Sequence, residues 1–185
     1  NPQGGRIYLA AKSNSTDLDN PFAIAGLLPV LPKSYQYGRG RFGVYSAPNK
    51  PASFSFTVEC CDFYDGTQLS ATTSLSYQPS AHLNFQINHI YNDFELPTGA
   101  LDFHITNTTA GISFSPKLQF SIQMQHDSIS DRLSFFGRLF YEIAPTMEGF
   151  VGIGHTAAIQ SEDYTRGYEP LETGFAIRLG QTLRF

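Results

Sequence analysis

The last eleven residues decide the fold: Phe175-Ala176-Ile177-Arg178-Leu179-Gly180-Gln181-Thr182-Leu183-Arg184-Phe185. Apolar and polar side chains alternate along this stretch with a period of two, which is the side-chain period of a β-strand. The apolar residues share one face, on which Gln181 is the exception. The other face carries Arg178 and Arg184. The stretch therefore predicts a strand with one apolar face and one polar face.

A terminal strand of this kind, closing on an aromatic residue, resembles the C-terminal assembly signal of bacterial outer-membrane β-barrels. The resemblance implies that the barrel-assembly machinery reads Phe175, Leu183 and Phe185. It also implies that the apolar face meets lipid and that the arginines meet a polar lumen. A half-buried sheet in a soluble protein alternates in the same way.

The composition narrows the class of protein. The 185 residues are enough for one domain. Charged residues make up 15% and aromatic residues 14%, whereas about 25% charged residues is usual in soluble domains. Mean hydropathy is -0.20, because Ser, Thr, Asn and Gln supply the polar half. This profile suits a lipid-facing barrel, and a secreted β-sandwich shares much of it.

Several other classes are disfavoured. The net charge is -4 and there is no basic run, so we expect no nucleic-acid partner. No apolar stretch approaches the roughly 18 residues of a membrane helix. The chain opens Asn1-Pro2-Gln3, so either a signal peptide has been removed or the chain is a piece of a longer protein.

The two cysteines, Cys60 and Cys61, are adjacent. On a strand they would point to opposite faces, and a bond between them would strain the backbone. We therefore expect no disulfide framework, and a vicinal redox pair stays open as the less favoured alternative.

Strand-like alternation recurs through most of the chain, in runs of about 9–11 residues, the length of a tilted membrane-spanning strand. Clear examples begin at Phe54, Leu69, Leu83, Leu118 and Leu133. Tight links alternate with longer polar links, predicted at Asp62–Thr67, Asn92–Gly99, His126–Arg132 and Gln160–Glu172. Outer-membrane barrels show this asymmetry, with short periplasmic turns and long extracellular loops.

The alternation predicts nine strands between Tyr35 and Phe185, with weaker candidates at Ile7–Lys12 and Phe22–Leu28. We therefore predict an N-terminal segment, residues 1–34, with one or two weak strands, followed by barrel strands over residues 35–185. Bacterial single-chain barrels have even strand numbers. Either the first segment is not a strand, which gives ten, or the chain is the C-terminal part of a larger barrel.

A second resemblance rests on motifs in the middle of the chain. They are Cys61-Asp62-Phe63-Tyr64-Asp65-Gly66, Tyr77-Gln78-Pro79, Tyr91-Asn92-Asp93-Phe94-Glu95-Leu96-Pro97-Thr98-Gly99, Phe114-Ser115-Pro116-Lys117-Leu118, Gln123-Met124-Gln125-His126-Asp127-Ser128 and Arg138-Leu139-Phe140-Tyr141-Glu142. In order, they resemble the C-terminal barrel region of a bacterial outer-membrane family of unknown function. Members of that family often carry an N-terminal module similar to family-9 carbohydrate-binding modules, so the resemblance implies sugar binding outside this chain. The last short turn departs from the family's Arg-Pro-Gly and reads Ala144-Pro145-Thr146.

Charged residues on the polar faces of strands are the main candidates for function. We predict that Arg138, Glu142, Arg178, Arg184 and His104 line the lumen, where they would set charge selectivity or fill the pore. The simpler interpretation, which we favour, is structural pairing such as Arg138 with Glu142.

Other chemistry has less support. The histidines show no ligand spacing, so we expect no metal and no other cofactor. A rim-located lipid hydrolase would use His126-Asp127-Ser128, or His155 with Ser161, and nothing fixes their geometry. A set of loop acids could bind divalent cations that bridge lipopolysaccharide, although solvated acids are the favoured interpretation. These acids are Asp127, Asp131, Glu162 and Asp163.

The sequence thus predicts an all-β protein, an antiparallel transmembrane β-barrel of about 8–12 strands in the bacterial outer membrane, or the C-terminal part of one. The predicted function is a pore for small solutes or glycans. The alternative is a membrane anchor with a filled lumen for a periplasmic carbohydrate-binding domain, and an enzyme is the least favoured class. Expected partners are outer-membrane lipids, lipopolysaccharide and the barrel-assembly machinery, with glycans as candidate ligands.

Overall fold

The structure, a computed structural model, describes residues 4–159 and 167–181, and every regular element in these ranges is a β-strand. The strands are β1 (Arg6–Asp17), β2 (Phe22–Ile24), β3 (Leu28–Val30), β4 (Ser34–Tyr45), β5 (Ala52–Phe63), β6 (Gly66–Ser80), β7 (Leu83–Leu96), β8 (Gly99–Ser115), β9 (Leu118–Asp127), β10 (Arg132–Ala144), β11 (Met147–Ala158) and β12 (Glu169–Gln181). Within the same ranges, no helix has the length and apolar character needed to span a membrane.

Ten of the strands form one antiparallel sheet in the order β1-β4-β5-β6-β7-β8-β9-β10-β11-β12, and β2 and β3 form a separate hairpin. This confirms the predicted all-β antiparallel fold class. The order is an up-and-down meander, in which each strand follows its neighbour in the chain apart from the inserted hairpin. Strands of the main sheet run from 10 to 17 residues, longer than the roughly 5–6 typical of soluble sheets. β1 and β12 stand at the two ends of this order.

The N-terminal part of the chain differs from its prediction. β1 is a full strand of the main sheet, paired with β4 from Arg6↔Tyr45 to Asp17↔Ser34. The other weak candidate, Phe22–Leu28, is split between β2 and β3, because Ala25 and Gly26 adopt φ values of 50° and 76° and reverse the chain. The even number of ten strands is therefore reached with the first segment included.

The predicted asymmetry of the connections is only partly correct. Beyond one end of the strands lie residues 18–33 and 128–131. At the other end, the links 81–82, 116–117 and 145–146 have two residues each, whereas the link 46–51 is longer. Two predicted long links are wrong, because β5 and β6 are joined by Tyr64 and Asp65 alone, and β7 and β8 by Pro97 and Thr98. Tyr64 has a φ of 54°, and positive φ values suit two-residue hairpin turns.

Cys60 and Cys61 are joined by a disulfide, which is the vicinal pair that the sequence analysis held to be the less favoured alternative. Cys61 has a φ of 98°, so it leaves the extended conformation that would send neighbouring side chains to opposite faces. Both sulfur atoms lie against Gly40, where an added Cβ would stand 3.6 and 3.7 Å from them.

The chain divides into two compact units. Unit 1 comprises residues 1–74 and 89–104, and unit 2 comprises residues 75–88 and 105–185. In unit 1 a small core of buried side chains lies where the β2–β3 hairpin packs on the strands that surround it. Its members are Leu28, Val30, Tyr35, Phe94 and Leu96.

Many large apolar side chains are exposed, and few are buried. In unit 1, Ile7 and Leu9 are 72% and 82% exposed, and in unit 2, Phe175 and Ile177 are both 78% exposed. Within each unit, therefore, one side of the sheet carries exposed apolar side chains.

Candidate lumen-lining face

Cross-strand register defines the two faces of the sheet. In unit 2, one row across five strands is apolar or small: Ala110, Ile122, Gly137, Ile153 and Phe175. The next row lies on the opposite face: Gly111, Ser121, Arg138, Gly152 and Ala176. We call the first side the apolar face and the second the polar face. Because side chains alternate along each strand, every second residue from these rows lies on the same face.

The predicted residues Arg138, Glu142 and Arg178 lie on the polar face of unit 2. The Arg138 guanidinium carbon lies 6.0 Å from the centre of the Phe150 ring, and Arg178 is directly opposite Phe150 in the register. The favoured pairing of Arg138 with Glu142 is wrong within the described residues. The two positions are four residues apart on one strand, about 13 Å between their Cα atoms, so both side chains would have to lie extended along the strand to meet.

His104 falls in phase with the apolar face of β8, away from the other predicted lumenal residues. It alternates in phase with Thr106, which is opposite His126, and with Ile112, which is opposite Phe120 on the apolar face. Its ring centre lies 5.8 Å from that of His89.

The predicted assembly residues are only partly described. Phe175 lies on the apolar face, opposite Ile153. Leu183 and Phe185, with the predicted lumenal residue Arg184, lie outside the described residues.

In unit 1, the polar face carries cations that the sequence analysis missed. Arg6 and Lys12 on β1 share this face with Arg39 and Arg41 on β4. Across the β4–β5 pair, Glu59 lies opposite Arg41. On β1, β4 and β5, these four cations face one carboxylate, so this part of the polar face of unit 1 has an excess of positive charge.

Arg39 is the best-anchored of these cations. Its Nη1 lies 2.7 Å from Glu59 Oε1, and its Nη2 donates to Gln68 Oε1 at 2.8 Å. The guanidinium also stacks 4.7 Å from the centre of the Phe63 ring. The Arg39 and Glu59 side chains are 24% and 28% exposed, so solvent screens the pair only in part.

Arg6 and Arg41 stand beside two stacked tyrosines. The Tyr8 and Tyr45 ring centres are 5.9 Å apart, and the Arg6 guanidinium lies 4.8 Å from Tyr45 and 5.4 Å from Tyr8. Arg41 reaches within 5.8 Å of the Tyr8 ring. Gly43 makes the stack feasible, because an added Cβ would stand 2.9 Å from Tyr8 Cδ1. Such cation–π contacts hold the cations on the face in defined positions.

The β2–β3 hairpin covers the polar face of unit 1 near the end where β4 begins and β7 ends. Thr98 Oγ1 donates to the Pro29 carbonyl at 2.6 Å, and Tyr35 donates to the Leu31 carbonyl at 2.6 Å. Tyr64 packs beside this core, 4.9 Å from Tyr35 between ring centres. Burial there raises the pKa of the Tyr64 hydroxyl above its ordinary value.

The residues of the hydrolase and cation hypotheses are engaged locally. Asp127 accepts hydrogen bonds from the Ile129 amide and the Ser130 hydroxyl, each at 2.9 Å, as expected of a turn acid. His155 contacts the Thr173 hydroxyl at 2.7 Å and also the Tyr168 hydroxyl. Ser161, Glu162 and Asp163 lie outside the described residues. In the part of the chain that is described, no three His, Cys, Asp or Glu side chains are grouped to hold a metal.

Comparison with known proteins finds no matching family model, no matching curated protein and no matching solved structure.

Proposed function

We propose that the chain forms a β-barrel, or part of one, in the bacterial outer membrane, and that the barrel is a pore for small solutes. The observation that carries the proposal is the exposed apolar face, which in each unit is opposite a face rich in polar and charged side chains. An uncovered apolar surface of this extent marks a membrane or protein interaction site. Closed barrels are the only sheets that span lipid, since every strand edge must be paired.

The dimensions of the strands support the proposal. The shortest strand of the main sheet, β9, has 10 residues, which at about 3.4 Å per residue and a tilt near 40° spans ~26 Å. The apolar band of outer-membrane barrels is about 25 Å tall. The apolar face would meet lipid and lipopolysaccharide, and folding would require the barrel-assembly machinery.

The charges on the polar face suggest whether the pore would prefer anions or cations. Rings of arginine and lysine favour anions in known pores, and in unit 1 the polar face carries Arg6, Lys12, Arg39 and Arg41 against Glu59. We therefore propose that the pore prefers anions over cations of similar size.

A second candidate function follows from the β2–β3 hairpin. Val30 is 1% exposed and Leu28 is 4% exposed, so part of the polar face of unit 1 is packed like a protein core. A lumen filled in this way would conduct nothing, and the barrel would then be an anchor for a periplasmic domain, with carbohydrate binding on that partner.

Single-channel recording in planar bilayers separates the two candidates. The native protein is compared with a variant in which residues 22–30 are replaced by a Gly-Ser linker of equal length. Conductance steps from the native protein support the pore. Silent insertion of the native protein with steps from the variant supports the filled anchor, and silence from both, with insertion verified, would refute the pore.

A further inference from the structure

Unit 2 contains a cavity of about 550 Å³ on its polar face, a volume within the usual range of small-molecule sites. Two adjacent rows of the sheet build it. One row contains Thr109, Gln123, Phe136, Gly154 and Gly174, and the other contains Asn107, Gln125, Ser134, Thr156 and Glu172. All ten line the cavity, which crosses β8 to β12.

An aromatic ring lies at the centre of the cavity although it is on the polar face. Phe136 is 38% exposed, and its ring rests on glycine backbone. An added Cβ at Gly152 would stand 2.9 Å from Phe136 Cζ, and one at Gly154 would stand 3.5 Å from Cδ2. Because the glycines leave this room, the ring lies against the sheet, and its uncovered surface is left for a ligand.

The groups around the ring are chiefly amides and hydroxyls. Ser134 and Thr156 hydroxyls bond to each other at 3.0 Å. The amides of Asn107, Gln123 and Gln125 have no hydrogen-bond partner within the described part of the protein. Each amide offers both donors and an acceptor, so each matches a sugar hydroxyl, which also donates and accepts.

We propose that this cavity binds a short neutral oligosaccharide, with a sugar ring stacked on Phe136 and its hydroxyls bonded to the amides of Gln123, Gln125 and Asn107. Axial C–H groups of a sugar make weak contacts with an aromatic face, and sites for small ligands combine such an apolar surface with a few placed polar groups. The inference deepens the proposed function and rests on it for the access of solute to the polar face.

The charge of the cavity selects among sugars. Among the described residues that line it, Glu172 is the one with an acidic side chain, so an acidic sugar would meet a like charge. A neutral trisaccharide should therefore bind more tightly than trigalacturonic acid, and Glu172→Gln should reduce the difference.

The test is calorimetric titration of the protein, folded in detergent micelles, with maltotriose and cellotriose. Phe136→Ala should weaken binding by about tenfold, equal to about 1.4 kcal/mol. Gln123→Ala should weaken it by roughly fivefold, since one hydrogen bond is worth about 1 kcal/mol. The matched controls are Phe140→Ala and Gln119→Ala, which change the same residue types on the same strands and the same face, outside the cavity.

Weaker binding in the two cavity variants, with binding by the two control variants unchanged, supports the site. Equal loss in cavity and control variants, or no binding of either trisaccharide at millimolar concentration, overturns it. Bilayer recordings of the same preparations keep the two proposals apart, because conductance without sugar binding leaves the pore standing, and sugar binding without conductance leaves the site and refutes the pore.

Discussion

An arginine at the middle of the apolar face should destabilise the protein in a lipid bilayer much more than an arginine one residue away on the polar face. Ile122 is the fifth of the ten residues of β9 and lies between Ala110 on β8 and Gly137 on β10. Gln123, the next residue, is exposed on the polar face. The pair Ile122→Arg and Gln123→Arg therefore compares the same new side chain at the same depth on opposite faces.

The magnitude follows from the position of Ile122 along the strand. If β9 spans ~26 Å, Ile122 lies within a few ångströms of the bilayer midplane, where an arginine facing lipid costs about 2–4 kcal/mol. That cost lowers the folding equilibrium constant roughly 30- to 700-fold. Gln123→Arg should cost no more than about 0.5 kcal/mol, as is usual for an exposed site.

The assay is urea titration of the protein in phospholipid vesicles, with the folded fraction read from gels of unheated samples. We expect a large loss of stability for Ile122→Arg and a small one for Gln123→Arg. Equal losses, or a larger loss for Gln123→Arg, would mean that the apolar face does not meet lipid.

Three other perturbations test separate parts of the structure. Arg41→Glu should shift the reversal potential in a salt gradient toward cation preference, because it replaces a cation of the unit 1 polar face by a carboxylate. An unchanged reversal potential would mean that this face does not line the conducting path. Val30→Asp should lower the free energy of unfolding by about 3 kcal/mol or more, because it buries an unpaired charge, whereas Leu27→Asp in the same hairpin should be nearly neutral, since Leu27 is 60% exposed. Alkylating reagent followed by mass spectrometry should modify Cys60 and Cys61 only after reduction, and modification of the unreduced, unfolded protein would contradict the disulfide.

The sequence predicts the strands whose two faces differ most. On β9, Leu118, Phe120, Ile122 and Met124 alternate with polar residues, and the structure has a strand there with that division. On β12, Phe175, Ile177 and Leu179 alternate with small or polar residues in the same way. Along these stretches one face is apolar, so the period of two is visible without any knowledge of the neighbours.

The cations of unit 1 were missed for a physical reason. On β4, Gly38 and Gly40 occupy the apolar face on either side of Arg39, and a glycine contributes no side chain to the contrast between faces. In the sequence, the pattern Arg39-Gly40-Arg41 therefore resembles a bend. In the structure it is a regular strand, and its two guanidinium groups lie on one face.

The position of His104 on β8 has a different origin, in tertiary packing. Leu101 and Phe103 lie on the other side of β8 from His104, where they pack against the core formed with the β2–β3 hairpin. Apolar residues therefore change sides along β8, from Phe103 at one end to Ile112 at the other. Alternation within one strand cannot reveal this change, because its cause is a hairpin that is distant in the sequence. Pro29 in that hairpin and its hydrogen-bond partner Thr98 are 69 residues apart.

We propose above all that the chain folds as a membrane barrel. The most direct test is a gel of isolated outer membranes, probed for this chain with and without boiling. Folded barrels resist SDS and migrate differently once they are heated. We predict that the chain is found in the outer-membrane fraction and that its band shifts on heating. A band in the soluble fraction whose position does not depend on heating would contradict the account.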